Sequence, residues 1–143
     1  MTSLISLITP KKQTAFMSND STVRQAVERF DVHKFTIVPL VDSEGHYCGT
    51  LSEGDLLRFM KNQVDFDIKK AEHVRVSEIE HYRPYKALGV EALMVEVFAL
   101  SLEQNFIPLV DDNNIYIGII KRREVIKYLS KNADKLALID DQG

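Results

Sequence analysis

The sequence of 143 residues is poor in several features that mark common classes of protein. It contains a single cysteine, Cys48, so no disulfide can form within the chain, and we expect a reducing environment. Its 18 basic and 21 acidic side chains give a net charge of −3, which argues against a nucleic-acid-binding protein because such proteins carry a basic excess. The most apolar stretch, Val90–Leu100, contains Glu91 and Glu96 and is too short to span a bilayer.

Motifs for secretion, metal binding and catalysis are also missing. No basic region precedes the apolar residues of Met1–Ile8, so we expect no secretory signal. The four histidines lack metal-ligand spacing, Cys48 has no recognisable base, and neither glycine-rich phosphate motif is present. We therefore expect a cytoplasmic protein that is not an enzyme. It should hold no metal and no catalytic cofactor, and it should contact neither membrane nor nucleic acid.

The sequence does contain an internal repeat. Val38–Asp42 reads Val-Pro-Leu-Val-Asp, and Ile107–Asp111, 69 positions later, reads Ile-Pro-Leu-Val-Asp. The same offset pairs the tyrosines at 47 and 116 and the glycines at 49 and 118, without a gap. We infer that one unit has been duplicated. Residues 1–61 form the first unit, 62–73 a polar linker, 74–136 the second unit, and 137–143 a tail that we expect to fray.

Each unit has the pattern of a helix, a strand, a turn, a strand and a second helix. In the first unit, Asp20 or Ser21 is the expected N-cap of the first helix, and the second helix runs to Lys61. The strands between them, Thr36–Val41 and His46–Leu51, are joined by a tight glycine turn and must be antiparallel. The fold class is α+β (α/β), with both helices on one face of the sheet.

Two residue patterns carry further structural expectations. Pro39 and Pro108 fall inside predicted strands, and proline cannot donate to a strand ladder, so they should lie at sheet edges or at bulges. The predicted helix Val90–Glu103 is apolar almost all round. A helix of this kind in so small a unit should pack on a second subunit, which predicts a homodimer.

Two segments of each unit resemble the signature of a CBS motif. Val38–Asp42 matches its apolar-Pro-apolar-Val-Asp strand, and Gly49–Asp55 matches its Gly-x-x-Ser/Thr-x-x-Asp entry into a helix. Ile107–Asp111 and Gly118–Glu124 resemble a second copy. The resemblance implies tandem CBS repeats, each a small three-stranded sheet with two helices, paired by a pseudo-twofold axis. It also implies a regulatory module that dimerises and binds adenosine-containing ligands between the repeats.

The resemblance also implies which residues contact the nucleotide. Ser52 and Asp55 match the residues that hold the ribose, and one carboxylate can accept hydrogen bonds from both ribose hydroxyls. The first strand, Gln13–Phe16, and an upstream threonine match the adenine contacts, and the residues around the strand proline match an apolar wall. The full set of expected nucleotide-binding residues is Thr9, Thr14, Ala15, Ile37, Val38, Pro39, Ser52, Asp55, Arg122 and Arg123.

The second copy departs from the motif. Lys121 replaces the Ser/Thr, and Glu124 replaces the Asp, so we expect one ribose site per chain. The family often places Arg or His two residues before the strand proline to contact phosphate, and these positions are Ile37 and Phe106 here. Arg122 and Arg123 are the cations expected to substitute.

Three classes of function follow from these observations. The leading hypothesis is a homodimeric regulatory module that binds AMP, ADP, ATP, S-adenosylmethionine or cyclic di-AMP and signals to a protein partner. The alternative is a ligand-free dimerisation or interaction module, because Ser52 and Asp55 also form a capping box that needs no ligand. An enzyme ranks last, since no acid–base or nucleophile constellation is present.

Overall fold

The computed structural model describes residues 4–133, which contain four α-helices and seven short strands. The first unit contains β1 (Ile8–Pro10), β2 (Met17–Ser18), α1 (Val23–His33), β3 (Ile37–Val41), β4 (Tyr47–Ser52) and α2 (Glu53–Lys61). The second unit contains β5 (Leu88–Gly89), α3 (Met94–Ser101), β6 (Phe106–Val110), β7 (Tyr116–Lys121) and α4 (Arg122–Lys131). The expected α+β architecture of two repeated units is confirmed.

The strands form two sheets, and the N-terminal strand crosses from the first unit to the second. One sheet has the order β2-β3-β4, and the other has the order β1-β7-β6-β5. The second sheet therefore has four strands rather than the expected three. The approach of β1 to β7 is close, because a Cβ atom on Gly118 would lie 2.3 Å from the carbonyl oxygen of Thr9. The strand expected at Gln13–Phe16 is instead β2, which starts at Met17 after a 3₁₀ turn at Lys11–Gln13.

Both strand prolines lie on inner strands. β3 lies between β2 and β4, and β6 lies between β5 and β7, so an edge position is wrong for each. The β3–β4 register shifts between Pro39 and Val41, and the β6–β7 register shifts between Leu109 and Val110. Pro39 therefore lies at a bulge, as the alternative predicted, and Pro108 lies one residue before one. The irregular ladder accommodates a residue that has no N–H to donate.

Two helix starts differ from the sequence expectation. The N-cap of α1 is Thr22, whose Oγ1 accepts a hydrogen bond from the Gln25 N–H at 3.1 Å, and not Asp20 or Ser21. α3 begins at Met94 and not at Val90, because the chain makes a turn in which the Ala92 N–H donates to the Gly89 carbonyl. The apolar periodicity of the sequence predicted a helix that begins too early, because periodicity alone does not reveal a local turn.

Each unit has its own apolar core, and a third cluster joins them. Val41, Tyr116 and Ile119 are buried between the two sheets. The hairpin turns also meet, because His46 and Ile115 form an antiparallel bridge across the repeat. The linker contributes to the first core through Ala71, which is fully buried in a 3₁₀ turn at Lys70–His73. The predicted tail, 137–143, lies outside the described residues, and no helix within 4–133 is long and apolar enough to cross a membrane.

Candidate functional site

The start of α2 holds the most deeply buried acidic group in residues 4–133. Asp55 is 2% exposed. Its backbone N–H donates to Ser52 Oγ at 3.1 Å, and its Oδ2 accepts from the Ser52 N–H at 3.0 Å. The capping box anticipated from the sequence is therefore present, and it fixes the carboxylate at the N-terminus of α2. The positive end of the helix dipole stabilises the negative charge there.

Residues outside the capping box also bind this carboxylate. Asp55 Oδ1 accepts hydrogen bonds from Arg58 Nη2 and from the backbone N–H of Tyr82, both at 2.8 Å. His81 Nδ1 lies 3.8 Å from Oδ2. The charge of Asp55 is thus balanced within the chain, and Tyr82 brings a distant segment onto it.

That segment, Ile79–Tyr85, crosses the end of β4. The two ring nitrogens of His81 lie 2.9 Å from the Thr50 carbonyl oxygen and 2.7 Å from that of Val76. The Tyr85 N–H donates to Thr50 Oγ1 at 2.9 Å. Two guanidinium groups make cation–π contacts with the Tyr82 ring, with Arg58 at 4.8 Å and Arg83 at 5.3 Å from its centroid. Backbone, imidazole and cation–π contacts together hold the segment on the first unit.

Tyr85 connects this segment to the second unit. The Tyr47 hydroxyl donates to the Tyr85 carbonyl, and the Tyr85 hydroxyl accepts from the Asn105 N–H at 3.2 Å. The rings of Tyr85 and Phe106 pack edge to face, with centroids 4.9 Å apart. Burial raises the pKa of Tyr47 above its usual value of 10.0, so its hydroxyl donates as a neutral group at pH 7.

A cleft of about 620 Å³ opens beside these contacts. It is lined by Arg83, Pro84, Tyr85, Lys86, Glu103 and Gln104, and neither Ser52 nor Asp55 is among its lining residues. Gln104 fixes the position of Lys86 in the cleft, because its side chain accepts a hydrogen bond from the Lys86 N–H at 2.8 Å and donates one to the Lys86 carbonyl at 3.1 Å. Arg83 and Lys86 contribute positive charge to the cleft, and Glu103 contributes one negative charge.

The structure divides the expected nucleotide-binding residues between two places. On β3, Ile37, Val38 and Pro39 pair with the β4 residues up to Ser52, although Val38 is 1% exposed and belongs to the core. Thr9 pairs with Ile119 in the other sheet. Thr9 therefore belongs to the sheet of the second unit, whereas Ser52 ends β4 in the sheet of the first.

Thr14 and Ala15 follow Thr9 toward the second unit. Thr14 Oγ1 lies 2.8 Å from the Tyr116 hydroxyl, and the next residue but one, Phe16, packs on the Tyr116 ring with centroids 5.7 Å apart. Burial raises the pKa of Tyr116, as it does for its repeat partner Tyr47. Exposed Ala15 lies between these contacts.

The two predicted phosphate-binding arginines have different surroundings. Arg122 Nε donates to the Ser101 carbonyl at 2.7 Å, so its guanidinium stabilises the C-terminal end of α3. Arg123 is exposed on α4. Glu124, at the position of Asp55, contacts Lys127 at 3.6 Å and has no capping partner at Lys121. The second copy thus lacks the buried carboxylate of the first.

This duplicated arrangement agrees with the match to a known family. The sequence matches the CBS domain family over residues 8–62 and again over 76–131. The chain belongs to the CBS domain family. Its two matched segments are the two units of the fold, so the chain contains a CBS pair.

Relatives of this CBS pair include a longer protein and separate CBS-domain structures. Inosine-5'-monophosphate dehydrogenase of Methanocaldococcus jannaschii is 25% identical over 81% of the chain, which spans only about a fifth (22%) of that protein. The structure of CbpB in complex with c-di-AMP has a TM-score of 0.82 at 17% identity, covering 95% of this chain and 89% of that one. CBSX2 in complex with AMP has a TM-score of 0.70 at 22% identity, covering 92% and 97%. These structural similarities establish the fold.

Several residues around Asp55 in the CBS pair were not anticipated from the sequence. Arg58 was within reach of a local rule, since a residue three positions along a helix faces the same side. His81, Tyr82 and Tyr85 were not, because their contacts with Thr50 and Asp55 join distant parts of the chain.

Proposed function

We propose that this CBS pair is a regulatory rather than catalytic module that binds an adenosine-type nucleotide and passes its state to a protein partner. The candidates are AMP, ADP, ATP, S-adenosylmethionine and cyclic di-AMP. The observation that carries the proposal is the pair of Ser52 and Asp55 at the start of α2 in a CBS motif. Two structural neighbours, CbpB and CBSX2, are solved with c-di-AMP and with AMP, and both ligands contain adenosine.

In this proposal the Asp55 carboxylate accepts hydrogen bonds from the ribose hydroxyls. Bonds to an ionised acceptor are stronger than neutral ones, and burial strengthens them further. The neighbouring cleft supplies Arg83 and Lys86 for the phosphate, and Arg123 remains a candidate from the second unit. Since Glu124 is half-exposed and lacks a matching serine, one ribose site per chain is expected.

The alternative is a ligand-free interaction module. The observation that favours it is that the capping box, Arg58 and Tyr82 already satisfy Asp55. A carboxylate with these partners stabilises the fold without any ligand. The two functions differ in whether a nucleotide raises the stability of the native protein.

A thermal-shift screen of the five nucleotides tests the proposal, because a ligand that binds only the folded state raises the Tm. Titration calorimetry with the best ligand then counts the sites. Asp55→Asn should lose at least about tenfold in affinity, or about 1.4 kcal/mol, while the matched variant Glu124→Gln should bind as the parent does. No Tm shift with any nucleotide supports the interaction module, and two equal sites per chain contradict the single-site expectation.

We also propose that the module self-associates through the exposed side of α3. Val95 and Leu102 are 65% and 84% exposed, whereas Met94 and Phe98 pack on the core of their own unit. Val95 and Leu102 share one side of the helix, so together they form an apolar surface. Val95→Asp should convert dimers into monomers in analytical ultracentrifugation. A monomeric parent protein at micromolar concentration would exclude this interface.

A further inference from the structure

The Asp55 carboxylate has too few free acceptor positions for a ribose diol. A carboxylate offers about four lone-pair positions. Oδ1 already accepts from Arg58 and Tyr82, Oδ2 accepts from Ser52, and His81 Nδ1 lies 3.8 Å from Oδ2. A ribose that donates two hydrogen bonds must therefore replace at least one of these partners.

We propose that Arg58 and the segment Ile79–Tyr85, together called the gate, close the Asp55 site and that nucleotide binding opens it. This inference rests on the proposed function and names how that same site is regulated. Ser52 is not part of the gate, because its capping box is formed within α2 and can persist with a ligand bound. The partners that leave when the gate opens are the Arg58 guanidinium and the Tyr82 N–H, the two donors to Oδ1.

Both partners are placed where they can leave without disturbing a core. The Arg58 side chain is 49% exposed and Tyr82 is 58% exposed, whereas Asp55 is 2% exposed. The Arg58 side chain can rotate toward solvent by changing its rotamer, and the Tyr82 ring, which contacts both Arg58 and Arg83, can follow it. In contrast, Ile79 is 8% exposed and belongs to the first core, so it anchors the start of the segment.

The gate also contacts the second unit through Tyr85. Tyr82 is three residues before Tyr85, whose ring packs on Phe106 and whose hydroxyl accepts from the Asn105 N–H. Displacing Tyr82 changes the position of Tyr85, and with it the contact between the segment and β6. A ligand on Asp55 would thereby favour a different arrangement of the two repeats, which is the differential interaction that any ligand-driven switch requires.

The closed gate lowers the apparent affinity of the protein for the nucleotide. Apparent affinity falls by the fraction of molecules in which the site is open, so weakening the gate should tighten binding. Arg58→Ala removes one hydrogen-bond partner of Asp55 and one of the two cation–π contacts of Tyr82. It should bind AMP, whose ribose has two free hydroxyls, about fivefold tighter or more than the parent, which is within the usual range of coupling between sites. Each ribose of c-di-AMP has only its 2′-hydroxyl free, because the 3′-oxygen is esterified, so c-di-AMP should gain less affinity than AMP.

Calorimetry with AMP and c-di-AMP on the parent, Arg58→Ala and Arg24→Ala makes this test. Arg24 is the matched control, because it lies on α1, pairs with Glu28 at 3.1 Å and belongs neither to the gate nor to the proposed nucleotide site; its variant should bind as the parent does. Amide hydrogen exchange supplies the second readout: saturating nucleotide should accelerate exchange at the Tyr82 N–H of the parent by about tenfold or more, because a bond released from Asp55 is no longer protected.

The outcomes separate the gate from the proposed function. If the parent binds AMP but Arg58→Ala binds it equally or more weakly, the gate is wrong and the nucleotide site stands. If the Tyr82 N–H stays equally protected at saturation with AMP, the gate is also wrong. If neither the parent nor Arg58→Ala binds any of the five candidate ligands, both the gate and the proposed function fail.

Discussion

Replacing Asp55 by alanine should be among the most destabilising single changes in the first unit. The variant leaves the N–H groups of Ser52 and Tyr82 without their acceptors. A hydrogen bond to a charged group contributes roughly 1.5–3 kcal/mol, so the two backbone bonds together account for about 3–6 kcal/mol. The Arg58 bond adds little, because that guanidinium is 49% exposed and is screened by water.

Relief of the cost of burying a carboxylate reduces this figure. We therefore expect Asp55→Ala to lower the free energy of unfolding by about 3 kcal/mol, the low end of the hydrogen-bond range. Asp55→Asn keeps one carbonyl oxygen for the Tyr82 N–H and should lose about 1–2 kcal/mol.

Glu124→Ala is the matched control at the same position of the repeat. Glu124 is 36% exposed and contacts only the exposed Lys127, at 3.6 Å, among the ion pairs of residues 4–133. Its removal should change the free energy of unfolding by less than about 0.5 kcal/mol.

Urea unfolding at pH 7 and 25 °C, followed by circular dichroism, measures all three variants. The slope m should stay constant, which assigns the change in midpoint to stability. If Asp55→Ala and Glu124→Ala differ by less than about 1 kcal/mol, the hydrogen bonds of Asp55 do not contribute as charge-assisted bonds should, and the reasoning is refuted.

Two further predictions concern a close backbone contact and the pH dependence of stability. Gly118→Ala should cost about 1–3 kcal/mol in urea unfolding, because its Cβ would meet the Thr9 carbonyl oxygen at 2.3 Å. Gly89→Ala, with nothing within 4 Å of the new Cβ, is the control, and an equal loss in both would contradict the clash. The backbone N–H of His46 lowers the pKa of Asp42 below 3.8, so this carboxylate stabilises the fold above about pH 4 and loses that effect as the pH falls through its folded-state pKa. Asp42→Asn should therefore lose less stability between pH 5 and about pH 2 than the parent. If both proteins lose the same stability over this range, the hydrogen bond from the His46 N–H to Asp42 contributes nothing.

The sequence by itself determined the features that depend on neighbours along the chain. The repeated Val-Pro-Leu-Val-Asp and Ile-Pro-Leu-Val-Asp segments located β3 and β6, since strand periodicity and turn residues act within a few positions. The capping box at Ser52 and Asp55 was predictable for the same reason, because its two hydrogen bonds join residues three positions apart. The start of α3 was not, because a turn interrupts the apolar periodicity at Gly89.

The tertiary structure alone decided which distant segments meet. A short strand such as β1 carries no local signal for the sheet edge that it joins, and it pairs with β7 more than a hundred residues later, which places Thr9 in the sheet of the second unit. Tyr82 reaches Asp55 across 27 positions, and Arg122 reaches Ser101 across 21. Such contacts form only when burial of both cores fixes the relative positions of the two units, because closing long loops costs entropy that local propensity cannot offset. The motif therefore identified the carboxylate, and the packing of the segment Ile79–Tyr85 determined which distant groups bind it.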